Sequence, residues 1–179
     1  MYSKYIPNDL DEHNIVIVDN LNNLSEEGND GSISKSINKW CRDFSRLQIC
    51  KHWNWTVLNI MQTSLETDKK QFDYRGGNII EKLEPNLSSL GDNKRVARDH
   101  HLILALFSPS RFGIDMYENY DITELDDSFR VLIILKSNFS ITNRKIPLYF
   151  NGASSYFKEL PLPGKMNPDI YQKIKLKQY

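Results

Sequence analysis

Two polar residues stand where an apolar run ends. Ile15-Val16-Ile17-Val18 is closed by Asp19, and Thr56-Val57-Leu58-Asn59-Ile60-Met61 is closed by Gln62. In open α/β sheets ligands bind beyond the carboxyl ends of strands, so these two are the first candidates for chemistry. A carboxylate there suits a hard cation held through few protein ligands and several waters. The plainer alternative is an Asp that caps a turn. The Gln62 amide can report on a phosphate, or bond only to local backbone. A third candidate is the segment from Leu65 to Lys94, where Lys69, Lys70, Arg75, Lys82 and Lys94 interleave with Phe72 and Tyr74. Cations beside rings suit phosphate contact with base stacking. Glu66, Asp68, Asp73, Glu81, Glu84 and Asp92 offset that charge, and a solvated loop is the competing reading.

Other chemistries find less support. His100 and His101 are adjacent, so on an extended chain they point to opposite faces and ligate one metal poorly. Cys41 and Cys50 are nine apart and match no zinc spacing, which reads as free thiols in a reducing compartment. No Gly-x-Ser-x-Gly, His-Glu-x-x-His or Cys-x-x-Cys occurs. Asp126 and Asp127 sit in loop sequence without a recognisable partner. Lys+Arg is 23 and Asp+Glu is 23, so a nucleic-acid surface, if present, is local rather than global. No apolar run approaches membrane-spanning length, and the first residues do not form a secretory signal, so a cytoplasmic protein is expected.

The elements that must position these residues can be read from periodicity. The 179 residues make one domain or a little more. The β-branched run at residues 15–18 predicts a strand buried on both faces, as in a parallel sheet. Ser32 opens a helix whose apolar positions Ile33, Ile37, Trp40, Cys41, Phe44, Leu47 and Cys50 keep a 3.6-residue period to about His52–Asn54. Residues 56–61 and 102–107 are the next strands, and both are expected in the parallel sheet. Arg130–Leu135 and Ile146–Phe150 predict an antiparallel hairpin with residues 136–145 as its tip. Trp40, Trp53 and Trp55 are expected to pack around the helix end, and Arg98 to pair with Asp99. Residues 1–160 form the expected domain, and residues 161–179 a linker and basic tail.

These segments, taken in order, resemble the DnaB-type replicative helicases. Ile15-Val-Ile-Val-Asp19-Asn-Leu-Asn-Asn-Leu24 is similar to that family's Walker B strand and the loop after it. Residues 47–62 resemble its helix-to-strand unit ending in a sensor Gln. Asn86-Leu-Ser-Ser-Leu-Gly-Asp-Asn-Lys-Arg-Val-Ala-Arg-Asp99-His-His aligns without gaps on its x-Leu-Ser-Asp-Leu-Arg-Glu-Ser-Gly-x-Ile-Glu-Gln-Asp-Ala-Asp segment. Val131-Leu-Ile-Ile-Leu-Lys136-Ser-Asn138 resembles the strand that ends in Lys-x-Arg, and residues 147–157 resemble the return strand. The resemblance covers residues 13 to 160.

The resemblance implies an α/β fold: a partial RecA-like parallel sheet with helices, extended by an antiparallel C-terminal hairpin. It implies Asp19 as the magnesium-shell carboxylate and Gln62 as the sensor. It implies Lys136, with Arg144 or Lys145 at the same hairpin tip in place of a lost finger arginine, as contacts to a neighbour's nucleotide. Lys69, Lys70, Arg75, Asp92, Asn93 and Lys94 become the contacts to single-stranded DNA. ATP and Mg²⁺ are the implied cofactors, and a homo-oligomer, a ring in the family and a dimer in a fragment, the implied partner. The departures are definite. No Gly-x-x-x-x-Gly-Lys-Ser/Thr occurs in the chain, and Lys-x-Arg is replaced by Lys136-x-Asn138. The expectation is therefore a Walker B to C-terminal portion, a fragment or a truncated phage or mobile-element copy, without ATPase activity of its own. The alternative is a non-enzymatic assembly module on a degenerate RecA-like fold.

Overall fold

The computed structural model describes residues 9, 11–26, 31–62, 83–93 and 96–179, with only the backbone of 91–93. The chain divides into two compact units. The first comprises residues 1–64 and 87–101, and the second residues 65–86 and 102–179.

In the first unit, β1 (Ile15–Asp19) and β2 (Thr56–Ile60) form a two-stranded parallel sheet. The crossover between them is helical, as a parallel pair requires. Helix α1 (Ile33–Lys39) starts at Ser32, whose hydroxyl accepts from the Lys35 N–H at 3.3 Å. It continues over Trp40–His52 as a wider π-type helix. Ile37, Cys41, Ser45 and Ile49 are the buried residues along its length, at an even spacing of four. A spacing of four lies between the 3.6 residues of an α-turn and the wider turn of a π-helix, so the series stays near one face across the join. This corrects the expected stripe: Phe44 and Leu47 are each 46% exposed. Leu21, Ile37, Cys41 and Val96 form the small core, with Val18, Leu24, Trp40 and Met61 packed on it. A short helix α2 (Val96–Asp99) ends the unit's ordered elements.

The second unit is built on an antiparallel sheet of order β3-β6-β7-β8, with β3 Leu102–Phe107, β6 Phe129–Ser137, β7 Lys145–Asn151 and β8 Tyr156–Glu159. Its core is an aromatic chain. Phe107 meets Phe112 at 5.6 Å and Tyr117 at 5.7 Å, and Phe129 meets Tyr120 at 5.3 Å. Such rings dominate core burial. Between β3 and β6 the chain makes the two-residue strands β4 (Met116–Tyr117) and β5 (Tyr120–Asp121) and the one-turn helix α3 (Ile122–Leu125). The hairpin of β6 and β7 is present and longer than expected.

Two expectations are corrected. The residues 102–107 strand pairs antiparallel with β6, Leu102 facing Ser137 and Phe107 facing Val131, and is not part of the parallel pair. Nor is the strand at residues 15–18 buried on both faces, and the other two apolar strands share its exposure. Ile15, Ile17, Leu58, Leu102, Leu104 and Leu106 are between 46% and 63% exposed. A run of apolar residues records preference for burial, but burial on both faces needs a covering layer on each. The segment expected as a linker and tail carries α4 (Pro168–Lys175). Asn167 caps it by accepting from the Ile170 N–H at 2.9 Å, Pro168 occupies its first turn, and Ile174 is 1% exposed within the second core. Tyr179 meets Tyr149 edge-on at 5.5 Å.

Candidate functional site

The site builds from the carboxyl ends of β1 and β2. The parallel register sets Asp19 opposite Ile60, so both strands end at one level. Strand alternation puts Asp19 on the same face as Ile15 and Ile17, and Asp19 is exposed. Past Asp19 the chain makes a tight turn, Leu21–Asn23, anchored by Leu21, which is 1% exposed. Past β2, the backbone N–H of Gln62 donates to Asn22 Oδ1 at 3.0 Å. One hydrogen bond thus laces the two loops that extend from the two strands. Asp19 and Gln62, singled out by position in sequence, are brought to one end of one sheet. The Gln62 side chain is exposed there.

Beneath this end lies a polar network that sequence reasoning missed. Asn59, on the opposite face of β2, accepts from Trp40 Nε1–H at 2.9 Å. Its amide nitrogen donates to Ser45 Oγ at 3.2 Å and lies 2.8 Å from His100 Nε2. The second ring nitrogen of His100 is 2.9 Å from the Val96 carbonyl. A carbonyl only accepts and the amide nitrogen only donates. Hence Nδ1 carries the proton and Nε2 accepts. Asn59 joins β2 to the helix and to the segment after α2. The signal for it was an Asn inside an otherwise apolar strand. His100 is thereby a structural residue, as the adjacent-histidine argument implied.

Asp99 pairs with Arg46 at 2.8 Å, a correction to the expected Arg98 partner. Arg98 is its sequence neighbour and is exposed, whereas Arg46 reaches Asp99 from the π-type helix. Burial, with a smaller contribution from the nearby Asp99 charge, pushes the Cys41 thiol up to about 12. A thiol held protonated in this way is a poor nucleophile at neutral pH. Cys41 and Cys50 are both free thiols. No group of three or more His, Cys, Asp or Glu side chains able to hold a metal occurs among the described residues. Nor does any helix among them have the length and apolarity to cross a membrane.

In the second unit, Lys136 lies near the end of β6 opposite Ile103 and is half-buried. Arg144 stands exposed just before β7, and its carbonyl accepts from the Ile134 N–H at 2.9 Å. The two sit at the same end of the hairpin. Lys145, the other basic residue of the tip, is committed elsewhere. It contacts Glu84 and Glu118, each at 2.7 Å, above the Tyr117 ring. Tyr117 donates to Glu84 at 2.8 Å, and burial together with that bond pushes its phenol well up. Burial alone lowers the Lys145 ammonium, but its two carboxylate partners outweigh this and raise it. Of the DNA-contact candidates, Lys69, Lys70, Arg75 and Lys94 lie outside the described residues. The backbone of Asp92 and Asn93 belongs to the 3₁₀ turn Leu87–Asn93.

No protein-family profile matches the chain, and no curated protein matches it. Solved structures do. One solved ATPase domain matches with a TM-score of 0.65 and 18% identity over 86% of this chain and 46% of that one. The structure of a DnaB-like replicative helicase and its interactions with primase matches with a TM-score of 0.65 and 18% identity over 86% of this chain and 32% of that one. The chain thus has a fold similar to that of the ATPase domains of DnaB-like replicative helicases, and it spans less than half the length of either solved chain.

Proposed function

We propose that this chain is the portion of a DnaB-like replicative helicase core that runs from a Walker B-like strand to the carboxyl end, and that alone it does not hydrolyse ATP. The observation that carries the reading is Asp19 and Gln62 at the carboxyl ends of two paired parallel strands, with Gln62 N–H bonded to Asn22 in the loop after Asp19. Asp19 suits one place in a water-rich Mg²⁺ shell. The rest of a Mg²⁺–ATP site does not fit the residues present. The chain contains no phosphate-loop motif to cradle a triphosphate with backbone amides and a lysine. No step of hydrolysis is therefore assigned to it.

In this reading Lys136 and Arg144 face the nucleotide of an adjoining copy, and Lys69, Lys70, Arg75, Asp92, Asn93 and Lys94 face single-stranded DNA. The chain works as a homo-oligomer. The test is ATP turnover by the purified 179 residues with Mg²⁺. No turnover is expected; Mg²⁺-dependent hydrolysis that Asp19→Ala abolishes sinks the reading. Single-stranded DNA binding at low salt is the companion measurement, because phosphate contacts weaken steeply as salt rises. Binding unaffected by removing Lys69, Lys70 and Arg75 together withdraws the DNA assignment.

A second reading is a non-enzymatic assembly module. It is favoured by the apolar sheet face of the first unit, where Ile15 is 63% and Ile17 is 62% exposed. A parallel sheet is ordinarily covered on both faces, so such a surface marks a contact.

A further inference from the structure

The Asn59 network of the first unit admits one protonation state of His100. The Trp40 indole N–H only donates, and it lies 2.9 Å from Asn59 Oδ1, so it fixes which way the amide faces. The amide nitrogen then faces Ser45 Oγ at 3.2 Å and His100 Nε2 at 2.8 Å. The Val96 carbonyl only accepts, and it claims the proton on His100 Nδ1 at 2.9 Å. Nε2 therefore has to offer a lone pair. A neutral ring protonated on Nδ1 satisfies every one of these partners.

A charged ring does not. Histidinium carries an N–H on both nitrogens. The added N–H on Nε2 meets the Asn59 amide nitrogen across 2.8 Å, donor against donor. Turning the amide over offers Oδ1 to His100 but sets the amide N–H groups against the Trp40 indole. Ser45 imposes nothing, because a hydroxyl both donates and accepts. Trp40 is thus the residue that locks the network. The charges around the ring are largely matched. On the π-type helix, Arg46 pairs with Asp99 at 2.8 Å and Arg42 with Asp43 at 2.6 Å, while Lys51 and His52 stand at its carboxyl end. The Cys41 thiol, raised to about 12 by burial and by Asp99, stays neutral. Strand β2 carries no charged residue, the turn Leu87–Asn93 carries Asp92 in sequence, and Arg98 and His101 are exposed beside the ring. Asp99 favours a charged ring, but its carboxylate is shared with Arg46, whereas the two opposed donors are in direct contact.

We propose that His100 is a proton-operated latch within the first unit. Histidine is the side chain whose charge ordinarily changes between about pH 5 and 8. With the ring neutral, Asn59 ties β2 to the helix and to the segment after α2. With the ring charged, no orientation of the amide satisfies all of its partners, and the network opens. Asn59 stands opposite Val18, one position before the Asp19–Ile60 pair. The latch therefore bears on the strand end that leads to Gln62. The folded state holds the neutral ring, while the unfolded chain takes up the proton freely. The associated stability is complete above the ordinary histidine range and is lost as pH falls through it. The latch operates whether or not the neighbouring strand ends bind a nucleotide.

Urea unfolding of the full chain at about pH 7.5 and about pH 5.5, either side of the histidine range, tests it. His100→Gln keeps an oxygen acceptor for Asn59 and cannot take a charge. His13, His52 and His101 remain in both proteins, so their contributions cancel. On acidification the unfolding constant of the wild type is expected to rise about fivefold or more beyond that of His100→Gln, one proton being worth up to about tenfold per pH unit. Trp40→Phe keeps a ring beside Phe44 and frees the Asn59 amide to turn, so its acid response is expected to fall to that of His100→Gln. Nitrogen NMR of the histidine rings is expected to show His100 protonated on Nδ1 at about pH 7.5, and the Trp40 indole signal to shift or vanish as the His100 ring charges. A wild-type acid response equal to that of both variants overturns the latch. So does a His100 ring protonated on Nε2 at the higher pH, or a Trp40 indole signal that stays in place while the His100 ring becomes charged. If either variant fails to fold, the ring and indole spectra of the wild type decide alone.

Discussion

The Asn59 amide lies 2.8 Å from His100 Nε2 while accepting a hydrogen bond from the Trp40 indole at 2.9 Å. One side chain thus satisfies groups from the helix and from the segment after α2. Asn59→Leu keeps the volume and removes every bond, leaving Trp40 Nε1–H and Ser45 Oγ without this partner. Orphaned, partly buried polar groups cost about 1–3 kcal/mol each, so a loss of about 2–4 kcal/mol is expected. Urea denaturation monitored by tryptophan fluorescence measures it; a loss well below 1 kcal/mol contradicts the network's structural role.

The Gln62 N–H to Asn22 Oδ1 bond is expected to hold the two loops of the candidate site together. Asn22→Ala removes the acceptor and costs about 0.5–1.5 kcal/mol, the ordinary worth of one such bond. Amide hydrogen exchange at Gln62 gives the specific readout. Its protection falls in the variant, while that of Val57 and Leu58 within β2 does not.

Tyr149 is 1% exposed, and its hydroxyl has no hydrogen-bond partner among the described residues. Burying such a group costs folding free energy with no return. Tyr149→Phe keeps the ring and its contact with Tyr179 and is expected to stabilise by about 1 kcal/mol. A lower thermal midpoint for this variant shows that the hydroxyl is satisfied in solution.

Tyr117 carries a phenol pushed upward by burial and by Glu84. The folded state therefore binds this proton more tightly than the unfolded chain does. The associated stability is complete below the ordinary tyrosine value of 10.0 and is lost as pH rises above it. The second unit is accordingly expected to weaken in alkali. Tyrosinate absorbance should show a late class of tyrosines that ionise only with unfolding. Tyr117→Phe removes one member of that class and flattens the alkaline loss of stability. An unchanged titration curve contradicts this assignment.

How much of this was readable beforehand differs by element. Residues 15–19 and 56–60 announced themselves as strands because β-branched and apolar runs have few other stable uses at that length. The Ser32 start of α1 was readable because a hydroxyl before an apolar series satisfies the first free amides. The β6–β7 hairpin was readable from spacing. The wide turn from Trp40 onward was not, because a four-residue spacing of small buried groups competes with a 3.6-residue stripe within one segment. Only packing against the small core of the first unit settles which set goes inside.

Sequence by itself determined the candidates: Asp19 and Gln62 at strand ends, Lys136 and Arg144 at a hairpin, and a chain without a phosphate loop. Local physics suffices there, since strand ends, turn residues and motif content are properties of neighbouring residues. Tertiary structure alone decided who meets whom. It set Asp19 level with Ile60 through the register, gave Asp99 to Arg46, tied Lys145 to Glu84 and Glu118, and paired residues 102–107 antiparallel with β6. Those contacts join residues tens of positions apart. Their choice depends on which layers exist to cover each face, and no local pattern encodes that.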